Sequence, residues 1–420
     1  MQSYKLFITL ITLTFLTMGC GEKNPYHKAA KDDLVEVVTQ DTEDIRNDTS
    51  TDNKEKAKRL AKIGELLLET PRGAELAAEI FEEALSFDQE NGKANFYAAI
   101  LKPIHALKGT AYRLTKIVTA KAMGDLIEDI LSGIGNRDTQ NLVSDFLTEA
   151  RLGDMFKTVS EFQAFLASEF LPALRLSDER LAIVENTENF NLTFNYKHWQ
   201  NGWHFRRSVS FDQAEVRSFR VALKGIATYT KLISAYNVDA ALPLRDQFSN
   251  RRGVTLKEVV DAIQMQPKAL TLNENAGNML TSILNDISDS IEGLRTIARI
   301  LNSDKIRDGY LLHPFKSHRH YANFIKGLNV ASDILAGPMA VDIGERKDKK
   351  GEEVSVVFNF TALLSNPVSD LKTLMPTEFD KDGKKAAVFP DLSFGGTIPN
   401  GDLISAYCSV KDTPEWIVCP

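Results

Sequence analysis

The sequence is poor in the residues that interrupt helices. It contains only 14 prolines and 24 glycines in 420 residues, and this scarcity favours a mainly helical protein over a many-turned sandwich or barrel. Three cysteines are too few for a disulfide scaffold. Basic residues are not in excess, because the formal net charge is −7, and this disfavours a nucleic-acid-binding surface. The 43% hydrophobic and 25% charged residues are typical of a globular chain, and the length predicts two or three folding units.

The N-terminus carries a short uncharged run. Lys5 is followed by Leu6–Met18, thirteen residues without a charge, which is too short for the about 20 apolar residues that span a membrane. A positive residue before such a run is typical of a secretory signal peptide, which we predict over residues 1–19.

The end of that run, Leu16–Thr17–Met18–Gly19–Cys20, resembles the lipobox of bacterial lipoproteins. The resemblance implies cleavage before Cys20, a diacylglycerol on its thiol and an acyl chain such as palmitate on its amine, so that the lipid binds the chain to a membrane. Gly21, rather than Asp, follows the cysteine, and by the same resemblance this implies the outer membrane, facing the periplasm. An ordinary signal peptide with a cysteine nearby by chance is the alternative.

The segment after Cys20 is strongly acidic. Nine Asp and Glu residues lie between Lys31 and Lys56, and such a composition buries too little apolar surface to offset the entropy of the chain. We therefore predict an acidic tether over residues 20–56, with a short helix around Leu34–Ile45 as an option within it.

Apolar residues recur at helical spacing from Ala57 onward, and a helix–turn–helix pair is predicted with its turn at 70–73. The small–aromatic–small positions Ala77, Phe81 and Ala84, with Gly64 and Ala99 near the small positions of the flanking helices, resemble a tetratricopeptide repeat. The resemblance implies closely packed helices whose concave faces bind peptides or proteins. We predict a tetratricopeptide-like helical region over residues 57–188.

A β-hairpin is predicted next, because alternating segments flank Asn201–Gly202. A two-residue loop pairs His198 with Phe205 and Tyr196 with Arg207. The aromatic residues of this hairpin are a candidate ligand or partner surface, with packing on the core as the alternative: Tyr196, Trp199, Trp203 and Phe205.

Two long helices follow the hairpin within the predicted 189–337 region. Asp212 and Glu215 form a capping box at the start of the first helix. The second runs from about Gly277 to Leu301, and both are expected to pack as a bundle with Tyr321–Leu335.

Residues 338–420 contain strand-like segments and many turns, which predicts a small β-containing module. Cys408 and Cys419 lie near its end. In an exported protein such a pair is expected to form a disulfide, and two buried free thiols are the alternative.

Local motifs for catalysis, metals or nucleotides are missing from the sequence. His318 and His320 are two positions apart at the start of a predicted helix, where a metal needs four, so we interpret them as solvated. Residues 378–383 resemble the first half of a calcium loop, but Phe389 stands where the bidentate Glu is needed. We expect no enzyme activity, no metal, no cofactor and no nucleic-acid partner.

The tail Phe389–Asn400 and the segment Tyr236–Asp239 are similar to uncharacterised bacterial envelope lipoproteins, a resemblance that implies no activity. We therefore expect a mainly α fold: a helical-repeat-like bundle with one hairpin and a small β-containing C-terminal region. The expected function is that of a lipid-anchored envelope protein acting as a protein-interaction or scaffold module. The alternative is a lipoprotein that holds a small molecule or lipid in a helical and aromatic pocket.

Overall fold

The computed structural model describes most of the chain between residues 31 and 401. The described residues are 31–68, 73–118, 125, 128, 144, 146–149, 154–200, 203–249, 251–303, 307–347, 353–399, 401 and 418. For 31–33, 194–200, 203–207, 341–347 and 353–355 only the backbone is described. The described part is mainly helical with small two-stranded antiparallel sheets, which confirms the predicted fold class.

We number the helices in chain order. They are α1 (Lys31–Asn47), α2 (Asn53–Leu68), α3 (Gly73–Phe87), α4 (Gly92–Ala106), α5 (Thr110–Leu114), α6 (Val159–Phe165), α7 (Leu171–Asn186), α8 (Gln213–Ala235), α9 (Ala241–Phe248), α10 (Leu256–Gln264), α11 (Ala276–Ser303), α12 (His318–Ala336) and α13 (Ala362–Ser365). A π-helical turn covers Leu166–Phe170 and a 3-10 turn covers Leu371–Leu374.

The strands pair in sequence order. They are β1 (Leu192–Gln200) with β2 (Trp203–Phe211), β3 (Met339–Lys347) with β4 (Glu353–Phe358), and β5 (Glu378–Phe379) with β6 (Ala386–Val388). The second and third pairs lie in the C-terminal region for which the sequence predicts β structure.

The chain divides into two compact units that are interleaved in sequence. Unit 1 contains Met1–Phe156, Ser168–Ala227 and Glu292–Ala322, and unit 2 contains Lys157–Ala167, Thr228–Ile291 and Asn323–Pro420. The sequence analysis divides the chain at 188 and 337 instead. The difference arises because α8 and α11 are long enough for each to contribute residues to both units.

In unit 1, α2, α3 and α4 pack with the close contacts that the repeat-like pattern predicts. Ala77, Phe81 and Ala84 have no exposed surface. A Cβ at Gly64 would lie 2.6 Å from the Phe81 ring, so the absence of a side chain on α2 is what lets this ring fit. The same ring stacks on Tyr97 of α4 at a centroid distance of 4.7 Å.

The acidic segment folds further towards the N-terminus than predicted. Lys31–Asn47 is helical, and Leu34, Val38 and Ile45 are each at most 4% exposed. Arg46 of this helix forms an ion pair with Glu83 of α3. The helix that the sequence offers as an option around Leu34–Ile45 is therefore present and longer at both ends. A flexible tether does not extend past Lys31, because three apolar residues on one face of α1 are buried.

Unit 2 has its own apolar core. Ala235 of α8 packs with Ala276, Leu280 and Ile283 of α11, and Leu364 of α13 lies against them. Among the helices that the structure describes, none combines the length and apolar character needed to cross a membrane.

The segment 236–239 and the tail residues 389–399 contact the same part of unit 2. The hydroxyl of Tyr236 donates a hydrogen bond to the carbonyl of Val368 at 3.0 Å. A Cβ at Gly395, in the tail, would lie 2.7 Å from Leu363 and 3.0 Å from Val368. Both segments thus pack on residues 363–368, which gives them a role in folding.

Candidate functional site

The predicted hairpin forms, with the predicted register. His198 pairs with Phe205, Tyr196 with Arg207, and Gln200 with Trp203. The last of these pairs leaves two residues between the strands, as a two-residue loop requires.

The register divides the four candidate aromatic residues between two faces. Cross-strand partners share a face and neighbours along a strand alternate. Tyr196, Phe205 and Trp203 therefore share the face of the Leu192–Phe211 pair, whereas Trp199, paired with His204, belongs to the other face. Trp199 thus belongs to a different face from the other three candidate residues, and the ligand or partner surface stays a prediction.

The base of the hairpin is fixed in the core of unit 1. Leu192 is 4% exposed and Phe211 is fully buried. Phe211 lies within 5.7 Å, between ring centroids, of Phe96 on α4 and of Phe219 on α8. On the opposite face the hydroxyls of Thr193 and Ser210 are 2.9 Å apart and exposed.

A buried ion cluster holds the junction between β2 and α8. Glu215 makes its half of the predicted capping box, because the N–H of Asp212 donates to Glu215 Oε2 at 3.0 Å. The carboxylate of Asp212 accepts instead from the N–H of Ala214 at 2.7 Å. Arg307 adds a bidentate pair with Asp212 and a contact to both Glu215 oxygens at 2.9 Å. The N–H of Leu312 donates to Glu215 Oε1 at 3.0 Å. The Arg307 guanidinium lies over the Tyr310 ring, 4.5 Å from its centroid.

Burial and charge act differently on the two carboxyls of this cluster. Burial raises the pKa of Glu215, and the neighbouring Asp212 raises it further. Burial also acts to raise the pKa of Asp212, but the hydrogen bond from Arg307 and other donors outweigh it, and this pKa lies below its usual value. Because Glu215 accepts from the two backbone N–H groups and from Arg307, the geometry makes this cluster a structural element of the hairpin base.

The helices on either side of the hairpin are joined by a second ion network. Arg220 of α8 contacts Asp178 of α7 at 2.8 Å and Glu185 of α7 at 2.6 Å. Arg217 forms an ion pair with the same Glu185. Burial lowers the pKa of Arg217, and the nearby cations Arg220 and Arg299 lower it further. The chain segments that enter and leave the hairpin are thereby fixed to each other.

The remaining candidate residues are placed as follows. Cys20, Cys408 and Cys419 lie outside the described residues, so the lipid site and the disulfide stay predictions. Within the described part, no group of three or more His, Cys, Asp or Glu is arranged to hold a metal ion. The calcium-like segment is a turn in which Asp380 Oδ1 accepts from the N–H groups of Lys384 and Lys385.

Arg307 was not among the residues predicted from the sequence. Its partners are 92 and 95 positions away in the chain, and no local pattern marks it. The one available signal was the capping box, whose buried Glu215 needs a cation nearby.

The comparisons with known proteins add no family to this picture. No protein-family model, no curated protein and no solved structure matches the chain.

Proposed function

We propose that the chain is a lipid-anchored cell-envelope protein, anchored through Cys20 in the outer membrane, that acts as a protein-interaction or scaffold module and not as an enzyme. The observation that carries this proposal is the helical-repeat-like packing of α2, α3 and α4. Gly64 lies against Phe81 and Phe81 stacks on Tyr97, which is the kind of close helix contact that gives repeat proteins a rigid binding surface.

Ion pairs support the rigidity of this surface. Arg180 of α7 contacts Glu82 of α3 at 2.5 Å, and Lys93 of α4 contacts Glu65 of α2 at 2.9 Å. Surface ion pairs add little stability individually, but these two connect helices that are not neighbours in the chain, α7 with α3 and α4 with α2. A surface that keeps its shape loses less conformational entropy when a partner binds.

The position of α1, the first helix in the described part of the chain, supports anchoring close to a bilayer. Cys20 is eleven residues before Lys31, where α1 begins. An extended chain spans about 3.5 Å per residue, so α1 would begin at most roughly 40 Å from the lipidated residue.

Metabolic labelling with a fatty acid tests the anchor. The wild-type chain should incorporate the label and fractionate with membranes, and Cys20→Ala should do neither, because stable anchoring requires two or more acyl chains. The matched control is Cys408→Ala/Cys419→Ala, which keeps Cys20 and should be labelled as the wild type is. A wild-type chain without label contradicts the anchor.

Site-specific photo-crosslinking tests the interaction surface. A crosslinking amino acid at Lys58 or Glu79, both exposed, should give the same protein adduct in intact envelopes. Met265 in unit 2, which is 78% exposed, serves as the control and should not give it. Purified chain should then bind the identified protein directly. An adduct that forms equally at all three positions, or at none, contradicts the proposal.

The alternative function is binding of a small molecule or lipid by the aromatic hairpin. The register favours it for Tyr196, Phe205 and Trp203, which share the face of the buried base pair. Saturable binding of an apolar fluorescent probe that Phe205→Ala abolishes, and that Trp199→Ala leaves unchanged, would favour this alternative over the scaffold.

A further inference from the structure

The contact between α8 and α11 in unit 1 brings arginine side chains of the two helices close together. A Cβ at Gly293 of α11 would lie 2.7 Å from Val221 Cγ2 and 3.9 Å from Arg217 Cγ, both on α8. Arg307, just after the end of α11, contacts Glu215 near the start of α8 at 2.9 Å. The two helices are therefore antiparallel here, and Arg217 lies beside the last turns of α11.

On α8, the guanidinium of Arg217 uses only part of its hydrogen-bonding capacity. Its Nη2 contacts Glu185 of α7, and the other oxygen of that carboxylate contacts Arg220 at 2.6 Å. In the part of the chain that the structure describes, Nε and Nη1 of Arg217 have no hydrogen-bond partner. The side chain of Arg217 is 30% exposed and that of Glu185 is 9% exposed. A nearly buried carboxylate thus positions an arginine whose other donors remain accessible.

The last turns of α11 contain a second shared carboxylate. Glu292 contacts Arg295 at 3.4 Å and Arg299 at 2.9 Å. Arg299 also donates to the hydroxyl of Thr296 and to the carbonyl of Arg295. Its Nη1 has no hydrogen-bond partner among the described residues, and its side chain is largely exposed.

The two arginines face each other without an anion between them. No carboxylate within the described residues contacts both Arg217 and Arg299. Burial lowers the pKa of Arg217, the charges of Arg220 and Arg299 lower it further, and the charge of Glu292 opposes them with a smaller effect. Because partial burial weakens the screening of charges by water, an additional anion gains most between Arg217 and Arg299.

The unused donors suit a phosphate group. Arginine presents its N–H groups as a planar fork that matches the spacing of phosphate oxygens and can form two parallel hydrogen bonds. A phosphate monoester has three acceptor oxygens and a charge of about −1.5 to −2 at pH 7, which is enough for two guanidinium groups. A single carboxylate has one charge and two oxygens, and it is therefore a poorer match for both arginines together.

We propose that Arg217 of α8 and Arg299 of α11 together bind a phosphate group, either as the free ion or as a phosphate monoester. Arg217, positioned by Glu185, donates from Nε and Nη1, and Arg299 donates from Nη1. Arg220 adds positive charge without contacting the ligand. The site is formed by other helices than the α2–α4 surface, and it depends neither on the proposed scaffold function nor on a lipid at Cys20.

Isothermal titration calorimetry tests the site directly. The protein is the chain from residue 20 onward with Cys20→Ser, so that no lipid is attached, in about 150 mM sodium chloride, which screens exposed charges beyond about 8 Å. Inorganic phosphate should bind saturably to one site per chain. Glycerol phosphate, titrated separately, should bind with the same affinity if the free ion is the ligand, and more tightly if the ligand is a monoester.

Variants identify the two arginines. Arg299→Gln, which changes an exposed side chain, should weaken phosphate binding on the order of tenfold, because one set of charge-assisted hydrogen bonds is lost. Arg217→Gln/Arg299→Gln should abolish measurable binding. Arg175→Gln is the matched control in the same unit, since Arg175 is 83% exposed and pairs with Glu179, and it should bind as the parent does. Circular dichroism should be the same for all the proteins.

Three results overturn the proposal. They are a titration with phosphate that shows no saturable heat, an affinity that Arg299→Gln leaves unchanged, and a loss of affinity that Arg175→Gln reproduces. The last result would mean that phosphate responds only to the general charge of unit 1. Failure of the site leaves the proposed function untouched, because the fatty-acid labelling and crosslinking experiments test the anchor and the α2–α4 surface independently.

Discussion

Arg307 and Glu215 are 92 positions apart in the chain and form a buried ion pair. The side chain of Arg307 is 2% exposed and that of Glu215 is fully buried. Removing two charges from water costs several kcal/mol each, and the cost is offset only where every polar atom has a partner. Here the backbone N–H groups of Asp212 and Leu312 complete the set around Glu215. The pair therefore determines how the start of α8 and the base of the hairpin are held in unit 1.

The first prediction concerns this pair. Arg307→Met should lower the free energy of unfolding of unit 1 by about 3–5 kcal/mol, because it leaves the carboxyl of Glu215 buried without a cation. Chemical denaturation followed by circular dichroism measures the loss. Arg307→Met/Glu215→Gln should recover part of the stability, since neither charge then remains. If the double variant is as unstable as the sum of the single variants, the two residues are not coupled.

The second prediction is a pH dependence at Asp212. The pKa of Asp212 is lowered from its usual 3.8, so its ionised form stabilises the folded state above that value. This contribution is lost as the pH falls below 3.8 and through the folded pKa. Asp212→Asn keeps an acceptor for the N–H of Ala214 but loses the charge that pairs with Arg307. The variant should be less stable than the wild type at pH 7, and the difference in unfolding free energy should shrink towards pH 3. A difference independent of pH contradicts this.

Features that depend on neighbouring residues were predicted from the sequence. The hairpin register follows from the alternation around Asn201–Gly202, and the contact of the Glu215 side chain with the N–H of Asp212 follows from their spacing. Both need only interactions within about twenty residues. The same is true of α11, which was expected from Gly277 to Leu301 and is found at Ala276–Ser303.

Features that depend on distant packing were not predicted. In the acidic segment the sequence offers only an optional short helix around Leu34–Ile45, and the full length of α1, Lys31–Asn47, was not predicted. Arg307 has no local signal. The interleaved units were not predicted from composition, because the boundaries between them fall inside the unbroken helices α8 and α11.

The third prediction tests the close contact between α2 and α3. Gly64→Ala should lower the unfolding free energy by about 1–3 kcal/mol, because the new methyl group lies 2.6 Å from Phe81 and the ring must move. Gly225→Ala in α8 is the matched control in the same unit, since nothing lies within 4 Å of a Cβ there. It should raise stability by about 0.5–1 kcal/mol through the better helix propensity of alanine. Equal effects of the two substitutions would mean that the repeat-like contact is not tight.

The last prediction separates backbone strain from packing at Gly395. This residue has φ of +67°, and a Cβ there would lie 2.7 Å from Leu363 and 3.0 Å from Val368. Its N–H also donates to Asp391 Oδ2 at 2.7 Å, which fixes the turn. Gly253, also in unit 2, has φ of +74° with nothing within 4 Å of a Cβ. Gly253→Ala should therefore lower the unfolding free energy by about 1–2 kcal/mol, because of the left-handed backbone conformation alone.

Gly395→Ala should lower the unfolding free energy by the same amount as Gly253→Ala for the backbone conformation. The steric overlap should lower it by about 1–3 kcal/mol more. Hydrogen exchange should then be faster in residues 386–399. It should also be faster at the helix end around Tyr236, because the Tyr236 hydroxyl donates a hydrogen bond to the carbonyl of Val368. In Gly253→Ala the exchange of both segments should stay at the wild-type rate. If Gly395→Ala loosens the tail and leaves Tyr236 unchanged, residues 363–368 do not couple the two segments.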